Sequence, residues 1–561
     1  MRSQFLALFA AFSLGACTTL PTTTASPPGV VSAADPRAAE AGAVMLRQGG
    51  SATDAVFATL LALTVVEPQS SGIGGGGFLV TSDARGDVKS YDGREEAPGA
   101  AGPDWFYKDG VPMATRDAIP GGKSVGVPGN VRMMALAHRA HGKLAWKALF
   151  PPAIALARDG FLITSRMHEM LDRARVTAGF TAEGRSLFYG PDGNPLPVGS
   201  RVRNPRLAAF LTDLANRGPD SFYVGPNAQA IVAAVRSAPR NPAAMTVGDI
   251  ASYDAKQRPP VCGTYRGHRI CGMGPPSSGA TTVFAILKQL ERFDLGALGP
   301  QSPVAWHLIA ESMRLAYADR DLYLADADHV AVPVAGLTDP SYLAQRSALI
   351  ATDRTIAAVS AGRPAGAPQL ALSPQPLEQG TSHFVATDRA GNVATLTSTI
   401  ESSFGSGLMA NGYYLNNELT DFNIVPAVNG VPVANRVEGG KRPRSSMSPT
   451  IVFAPDGHVR LAVGAAGGAT IIAQVAKAII AVVDWRMSAQ AAIALPVLYS
   501  PGDTVFVEKG TAHEALVPAL TALGHKVTAR APGFKANAIE WKDGRWVGAA
   551  DPRSEGTSVG E

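Results

Sequence analysis

Two helical patterns, Pro36 to Leu46 and Ser51 to Val66, stand near the start of the chain, separated by a Gly-rich turn. The second, SATDAVFATLLALTVV, is apolar almost all round, which predicts a helix buried inside a layer. After a glycine loop come the strand-like segments FLVTSD (Phe78 to Asp83) and DVKSYDGRE (Asp87 to Glu95), joined by a short turn. From about Gly129 to Arg346 helical periodicity dominates. There WHLIAESMRLAYADRD puts Trp306, Ile309, Met313 and Ala316 on one stripe, with Glu311, Arg314 and Asp321 facing elsewhere. Beyond Thr381 strand patterns take over (HFVATD, NVATLTST, GYYLNN, SPTIVFAP, VRLAVGAA), followed by helices around Thr470 to Val483 and Ala489 to Leu498. A final alternation of strands encloses the helix HEALVPALTALG. Strands at both ends and a helical middle predict one layered α+β domain without internal repeats.

Composition adds little to this picture. The chain has 561 residues, 46% hydrophobic and 17% charged, as an ordinary globular protein has. A formal charge of +4 with no basic block argues against a nucleic-acid partner. The N-terminus says more. Arg2 precedes an apolar run, Phe5 to Leu14, too short to span a bilayer as a mature helix but suited to an export signal. Leu14-Gly15-Ala16-Cys17 resembles the lipobox of bacterial lipoproteins. The expectation is therefore a signal peptide over residues 1–16, a lipidated Cys17 and a tether over 17–33. The protein would be periplasmic, held to the membrane, the outer one, by its lipid anchor alone; an ordinary signal with an incidental cysteine is the alternative.

The remaining cysteines lie in VCGTYRGHRICG. A two-residue turn at Arg266-Gly267 pairs Tyr265 with His268 and, counting outward, Cys262 with Cys271. That is a non-hydrogen-bonded pair, close enough for a disulfide, and a periplasmic setting permits one. Two cysteines beside His268 do not make a zinc site.

Several motifs fail on context. GIGGGG (Gly72 to Gly77) matches a dinucleotide fingerprint by letter, but its order is helix, loop, strand, whereas phosphate binding needs a helix after the loop. The glycines are better read as a close backbone approach near a site. Gly122-Lys123-Ser124-Val125-Gly126 spells a nucleophile elbow, yet Pro120 and Pro128 flank it where a strand and a helix are required. The same GKS lacks the upstream glycine of a phosphate loop, since position 117 is Asp. Asp326, Asp328 and His329 read as a solvated loop.

One junction remains. AGRPAGAPQLALSPQPLEQG (Ala361 to Gly380) has the composition of an exposed linker and ends in Gly380-Thr381, after which a hairpin begins around the turn Asp388 to Asn392. Either this is a hairpin after a surface loop, or the chain cuts itself before Thr381 and uses the new terminus as a catalyst.

The stretches GGSATDAV, PQSSGIGGGGF, DGREEAP, GTSHFVATDRAGNVA, LNNELTDF, GGKRPRSSMSPTIV, VGAAGGATII and GAADPRS, which follow the family's order along nearly the whole chain after the tether, closely resemble the γ-glutamyltransferases, also called glutathione hydrolases. The resemblance implies an N-terminal-nucleophile (Ntn) hydrolase, a four-layer αββα sandwich with a largely helical middle region. Cleavage at Gly380-Thr381 would give a large subunit (folded part 34–380) and a small one (381–561) that stay together as a heterodimer. It implies no cofactor and no metal.

The chemistry is arguable from the residues. A freed α-amino group, with a reference pKa of about 7.7–8.0, can take the proton of the Thr381 hydroxyl near neutral pH. By resemblance, Thr399 orients that hydroxyl, and Gly467 and Gly468 supply backbone N–H groups for the oxyanion. Arg94 would pair with the substrate α-carboxylate, helped by Ser445 and Ser446, while Glu418 and Asp421 hold the α-ammonium. Where the family usually has Asn, this chain has Glu401, a further carboxylate that either strengthens ammonium binding or repels its neighbours and turns outward. The segment 423–440, which covers the site in some members, is short and lacks Tyr, predicting an open lid. Substrates would be glutathione or other γ-glutamyl compounds, with water, amino acids or peptides as acceptors. A glutaryl or cephalosporin-type acylase and a catalytically silent lipoprotein are the competing readings.

Overall fold

The computed structural model describes residues 27–373, 380–531 and 533–561. The expected signal peptide, Cys17 and residues 374–379 of the linker lie outside them. The elements used below are, in chain order, β1 (Val30–Ala33), α1 (Pro36–Arg47), α2 (Ala52–Val66), β2 (Gly76–Ser82), β3 (Val88–Gly93), β4 (Lys256–Arg258), β5 (Val261–Tyr265), β6 (His268–Gly272), α3 (Gly279–Leu290), α4 (Pro303–Tyr323), β7 (Ser382–Thr387), β8 (Val393–Thr399), β9 (Thr450–Phe453), β10 (Val459–Ala466), α5 (Thr470–Val483), β11 (Lys535–Lys542), β12 (Arg545–Ala550) and β13 (Thr557–Gly560).

Two sheets form the centre. A seven-stranded sheet runs β13-β1-β7-β8-β2-β3-β4, and a six-stranded sheet runs β12-β11-β10-β9-β6-β5. Alternation along the strands sends one set of side chains outward and the other inward. Leu79, Phe384 and Leu396 pack with α1 and α2, whereas Phe78, Val80 and Val385 join Val463, Ala465 and Ala538 between the sheets. Helices α3, α4 and α5 cover the outer face of the second sheet. The result is the expected αββα sandwich. Both sheets mix strands from before Gly380 with strands from after Thr381.

All fifteen residues of α2 are buried, as its unbroken apolar surface predicts. Each fully buried Leu or Phe there contributes about 1.5–3 kcal/mol relative to an exposed one. Its start is set by a capping box, in which Ser51 accepts from the Asp54 N–H and the Asp54 carboxylate accepts from the Ser51 N–H. The helical middle is also present, as Asn130–His141, Pro151–Asp159, Pro205–Arg217 and Pro226–Arg236 among others.

Two expectations need correction. The tether does not extend to residue 33, because the β-branched pair in VVSA makes β1 an internal strand paired with both β7 and β13. Helix α4 is not two-faced: Glu311 and Arg314 are buried and form an ion pair at 2.7 Å, so charge pairing lets its polar side enter the interior. The cysteine hairpin follows the predicted register, with Tyr265 opposite His268 and Cys262 opposite Cys271. The two cysteines are joined, their Cα atoms 4.2 Å apart.

Candidate active site

Strand β7 pairs with β8 so that Ser382 faces Ser398, and the next step places Thr381 beside Thr399. The Thr381 hydroxyl donates to Thr399 Oγ1 at 3.2 Å, and Thr399 Oγ1 also accepts from the Glu401 N–H at 2.8 Å. Both threonines are buried. The Thr381 N–H donates to the Ser70 carbonyl at 3.1 Å. Thr381 has φ 109° and Gly380 φ 74°. For a β-branched residue this is a rare conformation, and such strain is typically worth about 1–3 kcal/mol.

The GIGGGG loop makes the close approach anticipated for it. A Cβ on Gly75 would lie 2.0 Å from the Thr399 carbonyl oxygen, and one on Gly74 equally close to that of Tyr414. Only glycine lets this loop back directly onto the strand that carries Thr399.

Thr381 lies in a cleft of about 880 Å³ that Gly467 also lines. Gly467 and Gly468, at φ 124° and 59°, turn the chain from β10 into α5. The Thr470 and Ile471 N–H groups at the start of α5 donate to the Gly467 and Gly468 carbonyls, so the N–H groups suited to an anion are those of the two glycines just ahead of the helix.

The residues expected to read the zwitterion are gathered, but not as two separate poles. Arg94 is fully buried and pairs with Glu418 and, at 2.5 Å, with Asp421. It also donates to the carbonyls of Pro443 and Arg444. Ser446 Oγ accepts from Arg320 at 2.6 Å, while Ser445 Oγ accepts from the Met447 N–H at 3.1 Å and is directed into its own turn. Glu401 is buried and does not turn outward; its carboxylate accepts from Ser402 and Asn417. Arg94, Glu401, Glu418, Asp421, Ser445 and Ser446 do not line the 880 Å³ cleft, nor does any residue of 423–440, which instead folds into the small hairpin Ala427–Val428 with Val431–Pro432.

Several participants were invisible in the sequence. Glu95 is fully buried, 3.8 Å from Arg94, and neither of its oxygens has a hydrogen-bond partner among the described residues. Burial pushes its pKa up to about 7 against the pull of Arg94. Burial, together with Glu95 and Glu401 as like charges, drives Glu418 well above the usual carboxylate range despite Arg94. One guanidinium therefore serves a crowd of carboxylates that must share protons. A second network lies under the nucleophile: Lys535 Nζ donates to both oxygens of Glu67 at 2.7 and 2.8 Å, and Ser382 Oγ donates to Glu67 at 2.6 Å. Burial pulls Lys535 down to about 8, and in Glu67 the same effect is outweighed by Lys535 and Arg166, which hold it below its ordinary value. Ser278 Oγ, accepting from Arg320 and donating to the Ser445 carbonyl, ties α3 to the KRPRSSMS segment. Glu67 stands next to the PQSS run, but nothing local announces a partner 468 positions away.

The family model described as Gamma-glutamyltranspeptidase matches residues 38–561. The chain is 35% identical to the glutathione hydrolase proenzyme of Bacillus subtilis (strain 168), covering 95% of this chain and 91% of that protein. It is 34% identical to the Acylase ACY 1 proenzyme of Pseudomonas sp. (strain SE83), covering 95% and 93%. A solved cephalosporin acylase from Bacillus halodurans aligns over 99% of both chains with a TM-score of 0.83; at 24% identity that likeness bears on the fold alone.

Proposed function

Because the chain belongs to the γ-glutamyltranspeptidase family, we propose that it is a self-maturing γ-glutamyl transferase and glutathione hydrolase working through Thr381. The observation that carries this reading is the pair of threonine hydroxyls 3.2 Å apart at a cleft shared with Gly467. Maturation hydrolyses the Gly380–Thr381 bond: one water is consumed, Gly380 becomes a carboxylate and Thr381 gains a free α-amine. The strained φ of Thr381 is relieved in that step. Residues 34–380 and 381–561 remain together because their strands alternate within both sheets.

The new amine accepts the Thr381 hydroxyl proton as Oγ1 attacks the γ-carbonyl carbon. The N–H groups of Gly467 and Gly468 receive the oxyanion, an interaction worth about 10²–10³ in rate per donor. Collapse breaks the amide bond and the departing amine takes the proton, leaving a γ-glutamyl ester on Thr381. Water or an acceptor amine then attacks that ester and restores the hydroxyl. A substrate zwitterion would enter the Arg94, Glu418 and Asp421 network by exchanging their mutual ion pairs for its own, carboxylate to Arg94 and ammonium to the acids. Ser445 and Ser446 would assist at the carboxylate, and Glu401 would add to the negative field around the ammonium.

On a denaturing gel, wild-type protein should run as two bands and hydrolyse γ-glutamyl-4-nitroanilide, while Thr381→Ala should run as one and be inert. Turnover by intact Thr381→Ala would defeat the reading, and a single uncut wild-type band would favour a silent protein. The Acylase ACY 1 relative supports a second reading, release of glutaryl amides, which lack the ammonium. Equal rates on glutaryl and γ-glutamyl anilides would favour it. Export and lipidation at Cys17, giving a periplasmic protein anchored in the outer membrane, complete the proposal. Incorporation of radiolabelled palmitate that disappears in Cys17→Ala would support them.

A further inference from the structure

Arg320 is buried near the end of α4, yet it reaches in two directions. It lines the cleft that holds Thr381, and it touches one of the two serines expected to read the substrate α-carboxylate. Each nitrogen of its guanidinium reaches a different partner. Nε donates to Ser278 Oγ at 2.9 Å, Nη1 to Asp321 at 2.7 Å and Nη2 to Ser446 Oγ at 2.6 Å. A planar fork with fixed donor directions bridges these three groups at once; a lysine ammonium, a point charge on a flexible stem, does not.

The backbone around the serines is clamped separately. The Ser445 carbonyl accepts from both the N–H and the hydroxyl of Ser278, each at 2.7 Å, and the Ser445 N–H donates to the Pro276 carbonyl at 3.0 Å. Arg444 holds the other side. Its Nη1 donates to the carbonyls of Arg320, Asp321 and Leu324, where α4 ends and the last carbonyls lack helical partners. With the chain held in this way, the direction of the Ser446 hydroxyl remains to be set. An oxygen that accepts from a guanidinium sends its own hydrogen elsewhere, and the cation polarises that O–H into a stronger donor. Ser446 is buried, so bulk water does not weaken the effect.

We infer that Arg320 is the positioning residue of the carboxylate subsite: it aims the Ser446 hydroxyl at the α-carboxylate that pairs with Arg94, and so helps to select γ-glutamyl donors over acyl groups without that carboxylate. Arg320 itself stays on Ser278, Asp321 and Ser446, and acts on the substrate through Ser446. This deepens the γ-glutamyl reading of the Arg94 network and rests on it.

The test is kinetic and uses Arg320→Lys, which keeps the charge and loses the fork. KM for γ-glutamyl-4-nitroanilide should rise about tenfold, as loss of one hydrogen bond to a charged group does, while kcat stays within about threefold. Competitive inhibition separates the groups on the ligand. The inhibition constant of L-glutamate should rise by the same factor, and that of 4-aminobutyrate, which lacks only the α-carboxylate, should stay within about twofold. In a Ser446→Ala background Arg320→Lys should add less than about twofold to KM, because the two residues act as one unit. An unchanged KM, an equal rise in both inhibition constants, or a full tenfold effect in the Ser446→Ala background would overturn the inference and leave γ-glutamyl transfer standing. Should Arg320→Lys not mature into two bands, Ser278→Ala, which releases Nε of the fork, decides instead. A KM rise of about threefold with the same split between L-glutamate and 4-aminobutyrate supports the inference, and no rise refutes it. Wild-type protein without activity on the anilide would instead defeat the reading of Thr381.

Discussion

The backbone carbonyl of Glu401 occupies the space a side chain on Gly380 would need: an ideal Cβ there would lie 1.7 Å from that oxygen. Gly380 also sits at φ 74°, where a Cβ is disfavoured. Gly380→Ala is therefore expected to displace the scissile peptide from the hydroxyl of Thr381. Appearance of the two bands should slow by at least about tenfold, consistent with 1–3 kcal/mol of added strain. A time course on denaturing gels reads this, and an unchanged rate would mean that the junction tolerates the shift.

Thr399 has two duties, accepting hydrogen bonds from the Thr381 hydroxyl and from the Glu401 N–H. Thr399→Val keeps the shape but leaves that buried N–H unpaired, at a cost of about 1–3 kcal/mol. Thermal stability should drop, and kcat on γ-glutamyl-4-nitroanilide should fall about 10–100-fold. Thr399→Ser should recover most of both. A Val variant with wild-type kcat would remove Thr399 from the mechanism.

His383 lies wholly buried between the sheets, bonded to Thr397 and Thr395, and burial pushes its pKa down from the ordinary 6.5 to about 3. Its folded pKa is the lower one, so the unfolded chain binds the proton first. The stability that the neutral ring provides is full above about pH 6.5 and is lost progressively as pH falls toward 3. Melting temperatures should decline between pH 7 and pH 4, and the gap between wild type and His383→Gln should narrow over the same range. A constant gap would mean that His383 does not set the acid limit.

The Cys262–Cys271 bridge closes a loop with a sequence separation of only 9. Its entropic contribution is about 2–3 kcal/mol, and neither cysteine lines the cleft. Cys262→Ser/Cys271→Ser should lower the melting temperature while kcat/KM on γ-glutamyl-4-nitroanilide stays within about twofold. A large loss of activity would show that the β5–β6 hairpin acts on the site.

The parts of the molecule that depend on local rules were legible in the chain. The all-round apolarity of Ser51 to Val66 announces a buried helix, the Arg266-Gly267 turn sets the cysteine register, and the Asp388 to Asn392 turn places Thr399 opposite Thr381. In each case the determining contacts lie within one element or one hairpin. The glycines at 72–77 could be read as a close approach, but which carbonyl they approach could not.

Tertiary structure alone decided the charges. Whether Arg94 meets Glu418 and Asp421, whether Glu67 meets Lys535, whether Glu95 is left without a hydrogen-bond partner, and whether Arg320 reaches Ser446 all depend on segments far apart in the chain. Side-chain periodicity carries no information about such partners. Electrostatic energy depends on separation in space and on exclusion of water, and both exist only after the two sheets have closed on each other.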